Sequence, residues 1–215
     1  MSLVHTKNAA TTSRRRRQPE AETKADISRE RVLVAAAQIF NEKGYSGTTM
    51  RDVGRAVGLQ AASLYYHYRS KDELIEAVLD KGVDDVAASV RAAVKAVPET
   101  ASHKERISIA LDAHLRSVLG STFSMSARRV FGQVPEPIRR RHLKHRDAYG
   151  EFWMNLLRDA AKGGALRSEI DVRLARIFII SALNSALDWY KPEGKSVDQL
   201  AKQFNLFITD GLFSS

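Results

Sequence analysis

Between Thr48 and Lys71 the chain sets out side chains that can hydrogen-bond to phosphates and to base edges. Thr48 and Thr49 stand at the start of a short helical pattern, where free N–H groups and the helix dipole favour a phosphate. Arg51 can add charge there or reach a base edge. Gln60, Ala61 and Ser63 occupy the exposed start of a second short pattern. Glutamine can read adenine through two hydrogen bonds, and alanine can touch a thymine methyl group. Tyr65, Tyr66 and His67 can donate to phosphates or pack on sugars, and Lys71 is a natural phosphate partner. Leu64 and Tyr68 read as core, Tyr65 as either, and Thr49 as a helix cap first and a contact second. Two short helices about a glycine turn are the layout of a helix-turn-helix reader of duplex DNA.

The elements that must position these residues are helical. Val32, Ala36, Ile39 and Phe40 share one face of a helix over about 28–43, with Asp26 or Ser28 as its cap and Gly44 at its end. Thr49-x-x-Asp52 reads as a capping box opening a helix over about 49–56, which Gly58 ends. A third helix follows over about 60–66. Ser70-x-x-Glu73 opens a fourth, which stops before Pro98. Further helices are expected at about 103–119, at 122–132, from near Pro137 to Gly163-Gly164, at 171–190, and after the cap Ser196-x-x-Gln199. The fold class is therefore all-α, with about nine helices and no strand pattern. Residues 1–25 are polar and aperiodic and read as a disordered basic arm. They precede a reading head over 26–72 and a larger helical part over 73–215.

The 215 residues carry a formal net charge of +9, which favours polyanions such as nucleic acid or an anionic membrane surface. Lys7, Arg14, Arg15, Arg16, Arg17 and Lys24 against Glu20 and Glu22 put much of that charge in the arm. Such an arm is either simply solvated or contacts phosphates and a minor groove. The chain has no cysteine, which excludes disulfides, thiolate metal sites and cysteine nucleophiles and suits the cytoplasm. No apolar run reaches the roughly 18 residues that a membrane span needs. The sequence has no G-x-S-x-G, G-x-G-x-x-G, phosphate-binding loop or H-E-x-x-H, so neither an enzyme nor a cofactor is expected. His142-x-x-His145 has helical spacing but lies in a basic run that would repel a metal cation.

Val32-Leu33-x-Ala35-Ala36-x-x-Ile39-Phe40-x-Glu42-x-Gly44-Tyr45-x-x-Thr48-Thr49 resembles the opening of the TetR family of transcriptional regulators. Asp52-Val53, Ala56-Val57-Gly58-Leu59 and Ser63-Leu64-Tyr65-Tyr66-His67-Tyr68-Arg69-Ser70-Lys71-Asp72-Glu73-Leu74 continue the likeness. Three positions depart from it. Gln60 stands where serine or threonine commonly caps, Ala62 where glycine is common, and Gly54 where alanine is frequent. The resemblance implies a homodimeric, ligand-responsive regulator, a repressor released from a near-palindromic operator by a small-molecule effector. An activator of the same family and a non-specific, chromatin-like binder are the alternatives. It also implies that Leu115, Leu119, Phe123, Met125, Phe131, Trp153, Phe178 and Trp189 are candidate walls of an effector pocket, or else ordinary core.

The helix over 171–190 is apolar nearly all round, which calls for burial on more than one side. Pairing of the last two helices with their symmetry mates would supply that cover; a plain central core helix is the other reading. Residues 128–146 hold seven Arg or Lys against Glu136, as either a solvated face or a mouth for an anionic ligand such as an acyl-CoA. The turn Asp188-Trp189-Tyr190-Lys191-Pro192-Glu193-Gly194 is similar to that of regulators of fatty-acid, phenylacetate and sterol breakdown that respond to CoA thioesters.

Overall fold

The apolar stripe Val32, Ala36, Ile39, Phe40 builds the first helix, α1, which spans Lys24–Gly47. The computed structural model describes residues 24–213, so most of the expected arm lies outside the described residues. Because α1 already includes Lys24, Asp26 and Ser28 lie inside the helix instead of capping it. The helix breaks at Gly44, whose φ of 72° is open to glycine at little cost. There a Cβ would stand 2.7 Å from Gln133 Oε1, so a larger residue would also have to displace that side chain.

The remaining elements are α2 (Met50–Val57), α3 (Ala61–His67), α4 (Lys71–Ala96), α5 (His103–Gly120), α6 (Thr122–Val130), α7 (Glu136–Lys162), α8 (Val172–Trp189) and α9 (Val197–Leu212). Except at α3 and α7, their starts follow from side chains that accept the orphan N–H groups of a first turn. Thr49, Ser102 and Ser196 each complete a capping box, with Asp52, Glu105 and Gln199. Ser70 accepts from Glu73 N, but the Glu73 carboxylate reaches one residue further back, to Arg69 N at 2.8 Å. That end therefore holds half of the box the sequence predicts. An isolated bridge between Leu166 and Phe213 is the sole β-type pairing among the described residues.

Two hydrophobic clusters divide the packing. The first joins α1, α2, α3 and the start of α4, and it recruits Phe123, Val130, Val134 and Ile138 from α6 and the entry to α7. The second gathers the rest of α4 with α5, α7, α8 and α9 around Trp153, Leu111 and Leu183. Helix α4 runs through both, with Leu74 to Leu79 in the first and Val86 to Val94 in the second. Gly82, between them, lets α6 approach closely, since a Cβ there would meet Phe123 Cβ at 3.3 Å.

Candidate nucleic-acid interface and effector cavity

Helix α2 is fixed at both ends. Thr49 Oγ1 accepts from Asp52 N and donates to Asp52 Oδ2, and Thr49 N donates to the same carboxylate. The hydrogen bond from Thr49, and then that from Lys43, hold the Asp52 carboxyl down at about 2. Gly58 closes the helix in the left-handed region at φ 68°. The tight turn brings Leu59 N onto Gly54 O at 3.0 Å, and a Cβ at Gly54 would sit 3.3 Å from Leu59 O. The glycine that costs up to about 1 kcal/mol in helix propensity therefore fits a close backbone approach.

Helix α3 starts at Gln60 with no side-chain cap, as the residue type leads one to expect. It is held by Leu64 and Tyr68, both buried. Arg29 Nε donates to the Tyr68 hydroxyl at 3.1 Å. With those two turned inward, Gln60, Ala62, Ser63, Tyr65 and Tyr66 face outward. Tyr66 is 83% exposed, too far from the core to serve packing. His67 lies edge-on to it at 5.5 Å between ring centres. Arg51 and Arg55 on α2 are exposed as well, and Arg55 was missed in the sequence.

Thr48 corrects the sequence expectation. It is 1% exposed, and its hydroxyl donates to Gly44 O at 2.7 Å, so it seals the break in α1 and offers nothing to a phosphate. Lys71 is tethered: its Nζ donates to Tyr45 O at 3.0 Å and sits 4.3 Å from the centre of the Tyr45 ring. The Tyr45 hydroxyl donates to Asp72, and burial first, then that carboxylate, raise its pKa to about 12.

A cavity of about 630 Å³ lies between α4, α5, α6, α7 and α8. Of the eight residues named as candidate walls, Phe131 lines it. Leu115 and Trp153 are fully buried in the second core, Leu119 packs against that core, and Phe123 belongs to the first. Met125 faces solvent. Phe178 is 67% exposed, and Trp189, half exposed, stacks on Phe204 at 6.3 Å.

Polar side chains that periodicity did not single out make much of the wall. His114 is buried, and burial depresses its pKa to about 4, so the ring is neutral. Its Nε2 meets Asn184 Oδ1 at 3.1 Å and its Nδ1 meets the Tyr149 hydroxyl at 2.7 Å. An amide oxygen only accepts, so the proton is on Nε2 and the tyrosine donates to Nδ1. Burial likewise pushes the Tyr149 phenol up, which keeps it protonated. Asp188 on α8 and Arg128 on α6 both line the cavity and form a two-pronged ion pair.

The basic run is split between an outer face and the cavity wall. Arg139 and Arg140 pair with Glu136, and Arg141 with Glu76, on the outside. Arg128, His142, Leu143 and Arg146 line the cavity. His142 and His145 turn to different carboxylates, Asp80 at 2.7 Å and Asp84 at 2.8 Å.

Helix α6 joins cavity and head. Ser124, Ala127 and Arg128 face the cavity, while Phe123 and Val130 pack in the head's core. Just past it, Gln133 Oε1 accepts from Tyr45 N at 3.0 Å, and Gln133 Nε2 donates to Arg129 O at 3.0 Å.

Residues 32–78 match the family described as bacterial regulatory proteins, tetR family, and residues 100–212 match the tetracyclin repressor-like C-terminal domain. The chain belongs to the TetR family. It is 31% identical over 194 residues to the HTH-type transcriptional repressor KstR2 of Rhodococcus jostii, covering 86% of this chain and 91% of that one. Among solved structures, the ketosteroid transcriptional regulator KstR2 of Mycobacterium tuberculosis superposes with a TM-score of 0.72 at 24% identity, covering 87% of this chain and 95% of that one. AibR in complex with isovaleryl coenzyme A and operator DNA gives 0.73 at 20% identity, with coverage of 86% and 100%. Membership makes the chain a DNA-binding transcriptional regulator, as its relatives are, and not an enzyme. No helix among the described residues is long and apolar enough to cross a membrane.

Proposed function

We propose that this TetR-family chain is a cytoplasmic repressor that binds a near-palindromic operator as a homodimer and is released by an acyl-CoA or a related apolar anion in its cavity. The observation that carries the reading is the double duty of α6. One face of it lines the cavity and the other packs into the reading head, with Gln133 bonded to Tyr45. A ligand that moves α6 must move the head or break that contact, and the coupling is reciprocal. In the head, Gln60, Ala61 and Ser63 read base edges. Thr49, Arg51, Tyr65, Tyr66, His67 and Lys71 hold phosphates and sugars; Lys71 has three donors, and one reaches Tyr45 O.

The dimer forms through α8 and α9, where Leu174, Ile177, Phe178, Leu206 and Phe207 remain exposed on the protomer. The repressor assignment of the Rhodococcus relative and the coenzyme A thioester bound by AibR support the direction of control and the effector class. Anisotropy of labelled operator DNA with a panel of acyl-CoAs and matching free fatty acids tests the reading. A CoA thioester that binds should weaken DNA binding by about 5–150-fold. Thioesters that neither bind nor release DNA would overturn it.

A further inference from the structure

Two cations in the cavity wall are held in no ion pair among the described residues. Arg146 on α7 and Arg176 on α8 both line the cavity and are both partly withdrawn from solvent. Neither makes an ion pair with a described residue, and Arg176 Nε is buried with no hydrogen-bond partner. The two carboxylates in the same wall do not cancel them. Asp188 is gripped by Arg128, and Asp147 is exposed to solvent. Helix α7 gives way for Arg176 at Gly150, where a Cβ would lie 2.8 Å from Arg176 Nη1. Burial lowers the Arg146 pKa, Asp147 opposes that shift, and the like charge of Arg176 adds to it.

An unpaired, partly buried charge destabilises a fold, and two of like sign destabilise it further. Removing either arginine would therefore stabilise the empty protein. Their planar forks match the oxygens of a carboxylate or a phosphate. Ser181 and Asn184 line the same side on α8, and Leu79, Val83, Val86 and Val118 give the facing apolar wall. We propose that Arg146 and Arg176 form an oxyanion-binding fork inside the cavity, which takes the carboxylate or phosphate end of an otherwise apolar effector. This rests on the cavity being the effector site and adds what orients the ligand within it.

Calorimetry and thermal unfolding of the full chain test the fork, with decanoate, decanoyl-CoA and decanol as probes. The anionic probe that fits should bind the wild type at least ~10-fold more tightly than decanol, and Arg146→Gln or Arg176→Gln should each weaken it by about 10–100-fold. Decanol binding should not change, and Arg176→Lys should keep part of the affinity. Preference for decanoate assigns the fork to a carboxylate, and preference for decanoyl-CoA to a phosphate.

The ligand-free protein supplies a further readout that a structural role would reverse: Arg146→Met and Arg176→Met should each raise Tm by about 2–4 °C. The fork is overturned if these variants lower Tm, dissociate the dimer, or bind the anions as the wild type does. If decanoate binds through the arginines and no CoA thioester does, the fork stands while the acyl-CoA reading fails. If decanoyl-CoA releases DNA equally well from the variants, the reverse holds.

Discussion

His114 can stay buried only while it is neutral. Its two ring nitrogens are used, one by Asn184 and one by Tyr149, and the second hydrogen bond requires an unprotonated Nδ1. The folded pKa of about 4 lies below the ordinary value of 6.5, so the unfolded chain takes up the proton first as pH falls. The stabilisation is fully present above pH ~6.5 and is lost as pH falls to ~4, by roughly 3 kcal/mol in all. Urea unfolding at several pH values should show that loss in the wild type beyond any seen in His114→Gln. Parallel profiles would mean that the histidine is not held neutral. Neighbouring threonines show how far residue type alone can be read. Thr48 and Thr49 are chemically the same, yet one seals the break at Gly44 and the other caps α2. The difference arises from the positive-φ break at Gly44, whose path turns the Thr48 hydroxyl inward onto Gly44 O.

At the scale of the elements, helix ends were the most legible feature, because a cap is a local interaction. Thr49, Gly58 and Ser196 mark ends in the sequence and in the structure. The cavity was much less legible. Periodicity tells which face of a helix is apolar, not which part of that face meets a neighbour and which borders a void. Leu115 and Trp153 fill the core beside the cavity, while Phe178 and Trp189 face outward. A usable signal was present: Arg176, Ile180 and Asn184 recur at four-residue spacing beside the core stripe Ala175, Ile179, Leu183, Ala186. The fully apolar look of α8 resolves into that buried stripe and an exposed one. Burying the exposed stripe against a second copy is the basis for the expected dimer. Phe178→Glu or Phe207→Glu should raise the dimer dissociation constant by about 100-fold or more, since the two-fold axis applies each loss twice. Sedimentation would show monomer with native helicity. A dimer that persists in both variants would place the interface elsewhere.

Over the whole molecule, a reading head and a cavity share one continuous structure through α4 and α6. The family pattern over the head was strong enough to read from sequence because turn glycines, caps and core aromatics are each constrained by local geometry. The operator was not, because Gln60, Ala62, Ser63 and Tyr66 face solvent and the fold places no demand on them. The net charge of +9 alone would give salt-sensitive binding to any duplex, whereas two heads on a two-fold axis demand two related half-sites. The most direct test is selection of bound duplexes from a random pool at about 0.15 M salt with excess competitor DNA. Enrichment of a near-palindrome, bound by a dimer, is the predicted result. Recovery of duplexes with no shared symmetric sequence would contradict it.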